Sequence, residues 1–140
     1  RAKRSYEIDN DVRRSYELLK EVVERDDSNP AYFFQLGIFA LKNDQFEDAR
    51  QAFESMFERP YLTDQLRRLG WYYRGRVNAH LGNTDVAIND FKRVVSDDKT
   101  DKKLHAASQR AMRRVKTFGR CRLAKRSLSI MMQQSDMLRY

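Results

Sequence analysis

The residues best equipped for chemistry are few. His80 and His105 are the only histidines of the 140-residue chain, and Cys121 is its only cysteine. Neither histidine keeps company with Cys, Asp or Glu in the pattern of a zinc site. Cys121 stands between Arg120 and Arg122, and such cations lower a thiol's pKa and favour the thiolate. An ordinary thiol near a helix start is the simpler interpretation. The sequence holds no Gly-rich phosphate loop, nucleophile elbow or paired-carboxylate motif. No catalytic set assembles from these residues. The expectation is a protein that is not an enzyme, with no cofactor, no metal and no small-molecule substrate.

Charge is the stronger signal. The net charge is +8, and it is unevenly spread. Residues 1–101 hold 17 Lys/Arg against 19 Asp/Glu, whereas residues 102–140 hold 11 against 1. No acid occurs between Lys102 and Ser135. A patch of that kind repels itself unless something screens it, which is more than a solvated helix face requires. Arg110, Arg113, Arg114 and Lys116 would contact phosphates if the screening partner is RNA.

The elements that carry these residues read as helices. Glycine (5) and proline (2) are scarce, which argues against an all-β or Rossmann-like chain. With 41% hydrophobic residues there is enough apolar material for one compact domain or a short solenoid. The longest apolar stretch, Tyr32 to Leu41, is interrupted by Gln35 and Gly37 and falls short of the roughly 20 residues that span a bilayer. Val12, Ser15, Leu19, Val22 and Val23 recur at helical spacing and predict a helix over 11–25, capped by Asn10 or Asp9. Pro30 suits a first helical position because it has no N–H to leave unbonded. The pattern then gives helices over 30–42 and 46–58, a long helix from Asp64 to Leu81 capped by Thr63, and a partner over 85–96. Residues 97–101 form a polar linker. Leu104, Ser108, Ala111, Val115 and Phe118 share one face of a helix over 102–118, and Gly119 breaks it.

Two of these helix pairs repeat one another. Phe33-x-x-Leu36-Gly37 is followed by Ala49-x-x-x-Phe53, and Trp71-x-x-Arg74-Gly75 by Ala87-x-x-x-Phe91. Each glycine precedes its alanine by twelve residues. The pattern resembles the tetratricopeptide repeat (TPR), a helix pair stacked with its neighbours into an α-solenoid. The resemblance implies an all-α fold of antiparallel helix pairs forming one domain. It divides that domain into a partial repeat (11–25), two repeats (30–58 and 63–96) and a degenerate or capping repeat (102–138). The glycines would let the partner helix approach, against a helix cost of roughly 1 kcal/mol. Ala49 and Ala87 would do the same from the other side, and Ala124 and Leu128 would match Ala87 and Phe91 in the last repeat. Ser15, Leu19 and Val22 would match Ala49, Phe53 and Met56 in the first. The second repeat departs from the family at Arg74, where leucine is usual, and at Asn78, where an aromatic is usual. These side chains either snorkel out of the seam or mark a rotated pair. Its period, Ala49 to Ala87, is also four residues longer than is usual in the family, which places an extra turn between Pro60 and Leu69.

In TPR proteins the first helices of successive repeats line a concave groove. Carried over, the groove presents Phe34, Ile38 and Leu41, then Tyr72, Tyr73, Arg76 and His80, then Gln109, Arg110, Arg113 and Lys116. It runs from apolar through aromatic to basic. The chaperone-binding branch of the family uses a Lys/Asn carboxylate clamp, but Phe34 and Ile38 occupy its first positions here, which disfavours chaperone tails. The leading expectation is therefore an adaptor or scaffold subunit that holds a protein or peptide partner, an acidic one suiting the basic end. An RNA-associated subunit of a ribonucleoprotein is the competing class, and attachment to an anionic membrane surface is a third. One cysteine allows no internal disulfide, which fits a reducing compartment, the cytoplasm or an organelle interior. The chain begins at Arg1, so a removed targeting segment stays open.

Overall fold

The computed structural model describes residues 2–117. These form five helices, α1 (Ala2–Arg25), α2 (Pro30–Lys42), α3 (Phe46–Phe57), α4 (Asp64–His80) and α5 (Thr84–Ser96). A sixth, α6, covers 102–117, and no strand occurs among the described residues. Ala124, Leu128 and the remainder of the last proposed repeat, 118–138, lie outside them. Helix α2 packs on α3 and α4 on α5, with α3 against α4, α1 against α2, and α2 reaching α4. The fold is all-α, built of antiparallel helix pairs stacked in sequence order.

Local chemistry sets the helix ends. The Ala31 N–H donates to the Asn29 side chain at 3.0 Å, and Pro30 occupies the first turn. The Leu66 N–H donates to Thr63 Oγ1 at 3.2 Å, so two of the orphan donors at these helix starts are satisfied. The turns inside the two pairs are copies of each other. Asp44 (φ 57) and Gly82 (φ 83) both take the left-handed conformation. Each turn then closes with a backbone bond five residues back, Gln45 N–H to Ala40 C=O at 2.9 Å and Asn83 N–H to Asn78 C=O at 2.8 Å. This is the closure that satisfies helix C-terminal carbonyls.

The seams hold the repeat residues. Phe53, Phe91, Ala49 and Ala87 are fully buried, and Phe33 is buried as well, while Leu36 and Trp71 are half-buried. A methyl group on Gly37 would come within 2.6 Å of the Phe53 ring, and one on Gly75 within 2.8 Å of the Phe91 ring. The glycines are there because the phenylalanine rings occupy the space a side chain would need.

The second seam resolves the two departures in a way the sequence alternatives did not include. Arg74 does not reach out to solvent. Its side chain is 17% exposed and forms a two-pronged pair with Asp90, which is 1% exposed. The donors are Nε to Oδ2 at 2.9 Å and a terminal nitrogen to Oδ1 at 2.8 Å. The same guanidinium lies 4.4 Å from the Phe57 ring centre. Arg74 thus stacks on α3 while bonding α5, doing with charge what leucine does with packing. Asn78 is 3% exposed. Its side-chain oxygen accepts from Asn83 Nδ2 at 3.2 Å, which ties α4 to the turn that follows it.

Helix α1 corrects two expectations. It begins at Ala2 and not near residue 11, because the stretch from Ala2 to Asn10 contains neither glycine nor proline to stop it. Asp9 and Asn10 therefore lie inside the helix and not at its start. Over 11–25 its buried residues are Tyr16 and Val23, with Val12 and Leu19 half-buried, while Ser15 and Val22 are exposed. The buried face is turned from the register that would match Ser15 with Ala49 and Val22 with Met56, because Tyr16 packs into the cluster of Ala40, Ala49, Phe53 and Val77. Among the described residues, no helix is long and apolar enough to cross a membrane.

Candidate binding groove

Helices α4, α5 and α6 border an open groove of about 690 Å³. Tyr72, Arg76, Ala79 and His80 supply the α4 wall, and Ala107, Arg110, Ala111, Arg114 and Val115 the α6 wall. Both sets recur every three or four residues, as one face of a helix must. Thr84 and Phe91 of α5 close the groove from below. On α6 the small Ala107 and Ala111 stand one turn apart, beside Arg110 and Arg114, also one turn apart. The result is an apolar trough with guanidinium groups along its side.

The electrostatics are one-sided. Arg76, Arg110 and Arg114 line the groove, and no carboxylate does among the described residues. All three arginines are exposed. The Arg76 guanidinium lies 5.7 Å from the Tyr72 ring centre and 5.8 Å from that of Tyr73. Two ring faces therefore hold it in place without neutralising it. Tyr72 and Tyr73 meet edge to face at 5.1 Å, and His80 stacks on Phe46 at 4.4 Å with the planes 8° apart. Other arginines are neutralised locally: Arg50 by Glu54 at 2.9 Å, Arg67 by Asp64 at 3.1 Å, Arg68 by Asp97 at 3.4 Å. Among the described residues no ion pair engages Arg76, Arg110 or Arg114.

The groove residues expected from sequence divide into three groups. Tyr72, Arg76, His80 and Arg110 come together in this one groove, with Tyr73 behind Arg76. Gln109, Arg113 and Lys116 belong to α6 but do not line it; Gln109 is half-buried, and the other two are exposed. Phe34, Ile38 and Leu41 are half-buried and pack on the cluster around Tyr16 and Phe53. Phe34 meets the Tyr73 ring edge to face at 5.7 Å. The apolar end of the expected groove thus serves the core first.

Sequence reasoning passed over Arg114, Ala107, Ala111 and Thr84 as groove residues. The signal for Arg114 was present, since it follows Arg110 by four residues. Thr84 gave none, because its place depends on where the turn delivers α5. A second concavity of about 580 Å³ lies at the starts of α2 and α4, lined by Asn29, Pro30, Tyr61, Thr63 and Leu66 among others. It carries Asp26 and no cation among the described residues. No group of three His, Cys, Asp or Glu that could hold a metal occurs among the described residues. In comparison with known proteins, no family profile and no curated sequence matches this chain.

Proposed function

We propose that this chain is a TPR-like interaction module, a non-enzymatic adaptor or scaffold subunit that holds an acidic segment of a partner protein in the α4–α6 groove. The observation that carries the proposal is the groove's one-sided charge, three exposed arginines with no carboxylate among the described lining residues. Such a surface favours anions by Coulomb attraction and by charge-assisted hydrogen bonds. The glycine-on-phenylalanine seams of both helix pairs support the likeness to the tetratricopeptide repeat.

A second proposal, an RNA-associated subunit, draws on a different observation. Arg113 and Lys116 are exposed on α6 outside the groove, where they extend the cationic surface toward a longer polyanion. One competition separates the two. The full chain is immobilised and offered acidic peptides and single-stranded RNA at about 150 mM salt, with heparin in excess. The adaptor outcome is retention of peptide, loss of RNA, and weaker peptide retention for Arg76→Ala, whose side chain is exposed, at nearly unchanged melting temperature. RNA retained against heparin, with peptide lost, overturns it.

A further inference from the structure

We infer that the α4–α6 groove is selective for phosphotyrosine in the partner segment, over glutamate, aspartate or unmodified tyrosine. The inference rests on the adaptor proposal and adds the chemistry of the residue recognised. The groove combines two features that a plain acidic side chain does not use together. One is the apolar trough of Ala107, Ala111 and Val115 facing Tyr72 and Ala79. The other is the set of three guanidiniums from two helices, Arg76 on α4 with Arg110 and Arg114 on α6.

Glutamate brings one charge and two acceptor oxygens on a short flexible arm. It satisfies one guanidinium and leaves the trough empty. A phosphoryl group carries about −1.5 to −2 charges at neutral pH and three acceptor oxygens, enough for several arginine donors at once. Borne on a phenyl ring, it also brings a flat apolar plate of the kind that a trough walled by alanines and closed below by Phe91 admits. Phosphoserine supplies the head without the plate, and tyrosine the plate without the head. Arginine rather than lysine at all three positions suits this head, because the planar fork meets two oxygens of one oxyanion. The two tyrosine rings beneath Arg76 hold its guanidinium near the groove without occupying its charge, so less side-chain freedom is lost when the anion arrives.

The test uses the full chain and four degenerate peptide libraries that differ only at a fixed central residue: phosphotyrosine, tyrosine, glutamate or phosphoserine. Retention is measured by fluorescence polarisation at physiological salt, with phenyl phosphate and inorganic phosphate as competitors. The expected result is binding of the phosphotyrosine library about tenfold or more tighter than any other, as one or two charge-assisted bonds imply. Phenyl phosphate should compete better than inorganic phosphate. Arg110→Ala and Arg114→Ala should each lose about tenfold. Both are exposed, so the helical signal should be unchanged and folding is not in question. If the glutamate library binds as well as phosphotyrosine, the selectivity is wrong while the adaptor proposal stands. If phosphoserine binds equally, the trough plays no part and the inference fails. If no library binds, both fail together.

Discussion

Removal of the Asp90 carboxylate probes the second seam most directly. Asp90 is 1% exposed and accepts from Arg74 at 2.9 and 2.8 Å and from Arg93 at 3.4 Å. Asp90→Ala strands the Arg74 guanidinium, itself only 17% exposed, between α3 and α5. Breaking one partner out of a buried pair costs about 3–5 kcal/mol. Arg74 keeps its stack on Phe57 and some access to water, so the lower end applies, about 3 kcal/mol. For a chain of this size that corresponds to a fall in melting temperature of about 10 °C. Arg74→Leu in the Asp90→Ala background removes the stranded charge and puts an apolar side chain on Phe57. It should recover at least half of the loss, because an apolar seam of similar volume is often as stable as an ion pair. Urea unfolding of the four proteins, followed by helical circular dichroism, gives the full cycle. A loss below about 1 kcal/mol for Asp90→Ala would refute the argument. So would a double variant less stable than the single one.

Three further outcomes follow from particular contacts. Gly37→Ala gains about 1 kcal/mol in helix propensity, but its methyl would sit 2.6 Å from the fully buried Phe53 ring. Overpacking of about 1–3 kcal/mol should win, and a higher melting temperature would contradict the close approach. The Ser108 hydroxyl is fully buried with no hydrogen-bond partner among the described residues; Ser108→Ala should therefore raise stability by about 1 kcal/mol in the same urea assay. The Asp26 carboxyl is held below the usual carboxylate range by the Ser28 hydroxyl first and the Ser28 N–H second. A depressed value stabilises the fold above the ordinary carboxylate pKa, and the contribution disappears as pH falls through the folded value. Ser28→Ala should move the Asp26 carboxyl titration upward in an NMR titration; an unchanged midpoint would rule out the hydroxyl as the cause.

The helix pairs were legible because their signals are local. Proline, asparagine and threonine mark the starts of α2 and α4, and the Asn43-Asp44 and Gly82-Asn83 breaks mark the turns. Gly37 and Gly75 announced close approach through a spacing that both pairs share. Arg74 was misjudged because its partner Asp90 is sixteen residues away. A helical pattern read on one helix cannot show that a carboxylate faces it from the next. Helix α1 was read in the wrong register for a related reason. Tyr16 is amphipathic and could lie on either side of a boundary, and only its packing among Ala40, Ala49 and Phe53 decides which. The basic third was evident as charge, but its division was not. Arg110 and Arg114 fall in the groove and Arg113 outside it, and the orientation of α6 on α4 determines that.

The arginines of this chain therefore do two kinds of work, and the placement of acids separates them. Arg59 reaches back to Asp27, bonding its carbonyl at 3.1 Å while lying 5.1 Å from the Phe33 ring centre. Arg68 joins α4 to Asp97 beyond α5, and Arg74 joins α4 to α5. In each case the guanidinium is a bracket between segments distant in sequence, and the carboxylate or carbonyl it meets consumes its capacity for a partner. Exposed pairs such as Arg67 with Asp64 contribute little stability singly, whereas Arg59 and Arg74, each stacked on an aromatic ring, fix the relative placement of helices. Arg76 has the aromatic support without an acid among the described residues. Arg110 and Arg114 lie on a helix whose sequence contains no acid at all. A cation held by rings and left without a counter-charge gains less from folding than from meeting an anion. The same side chain that acts as structural mortar in α4 at position 74 thus stands, two residues nearer the C-terminus and on the other side of the helix, exposed in the lining of the groove proposed to hold a partner.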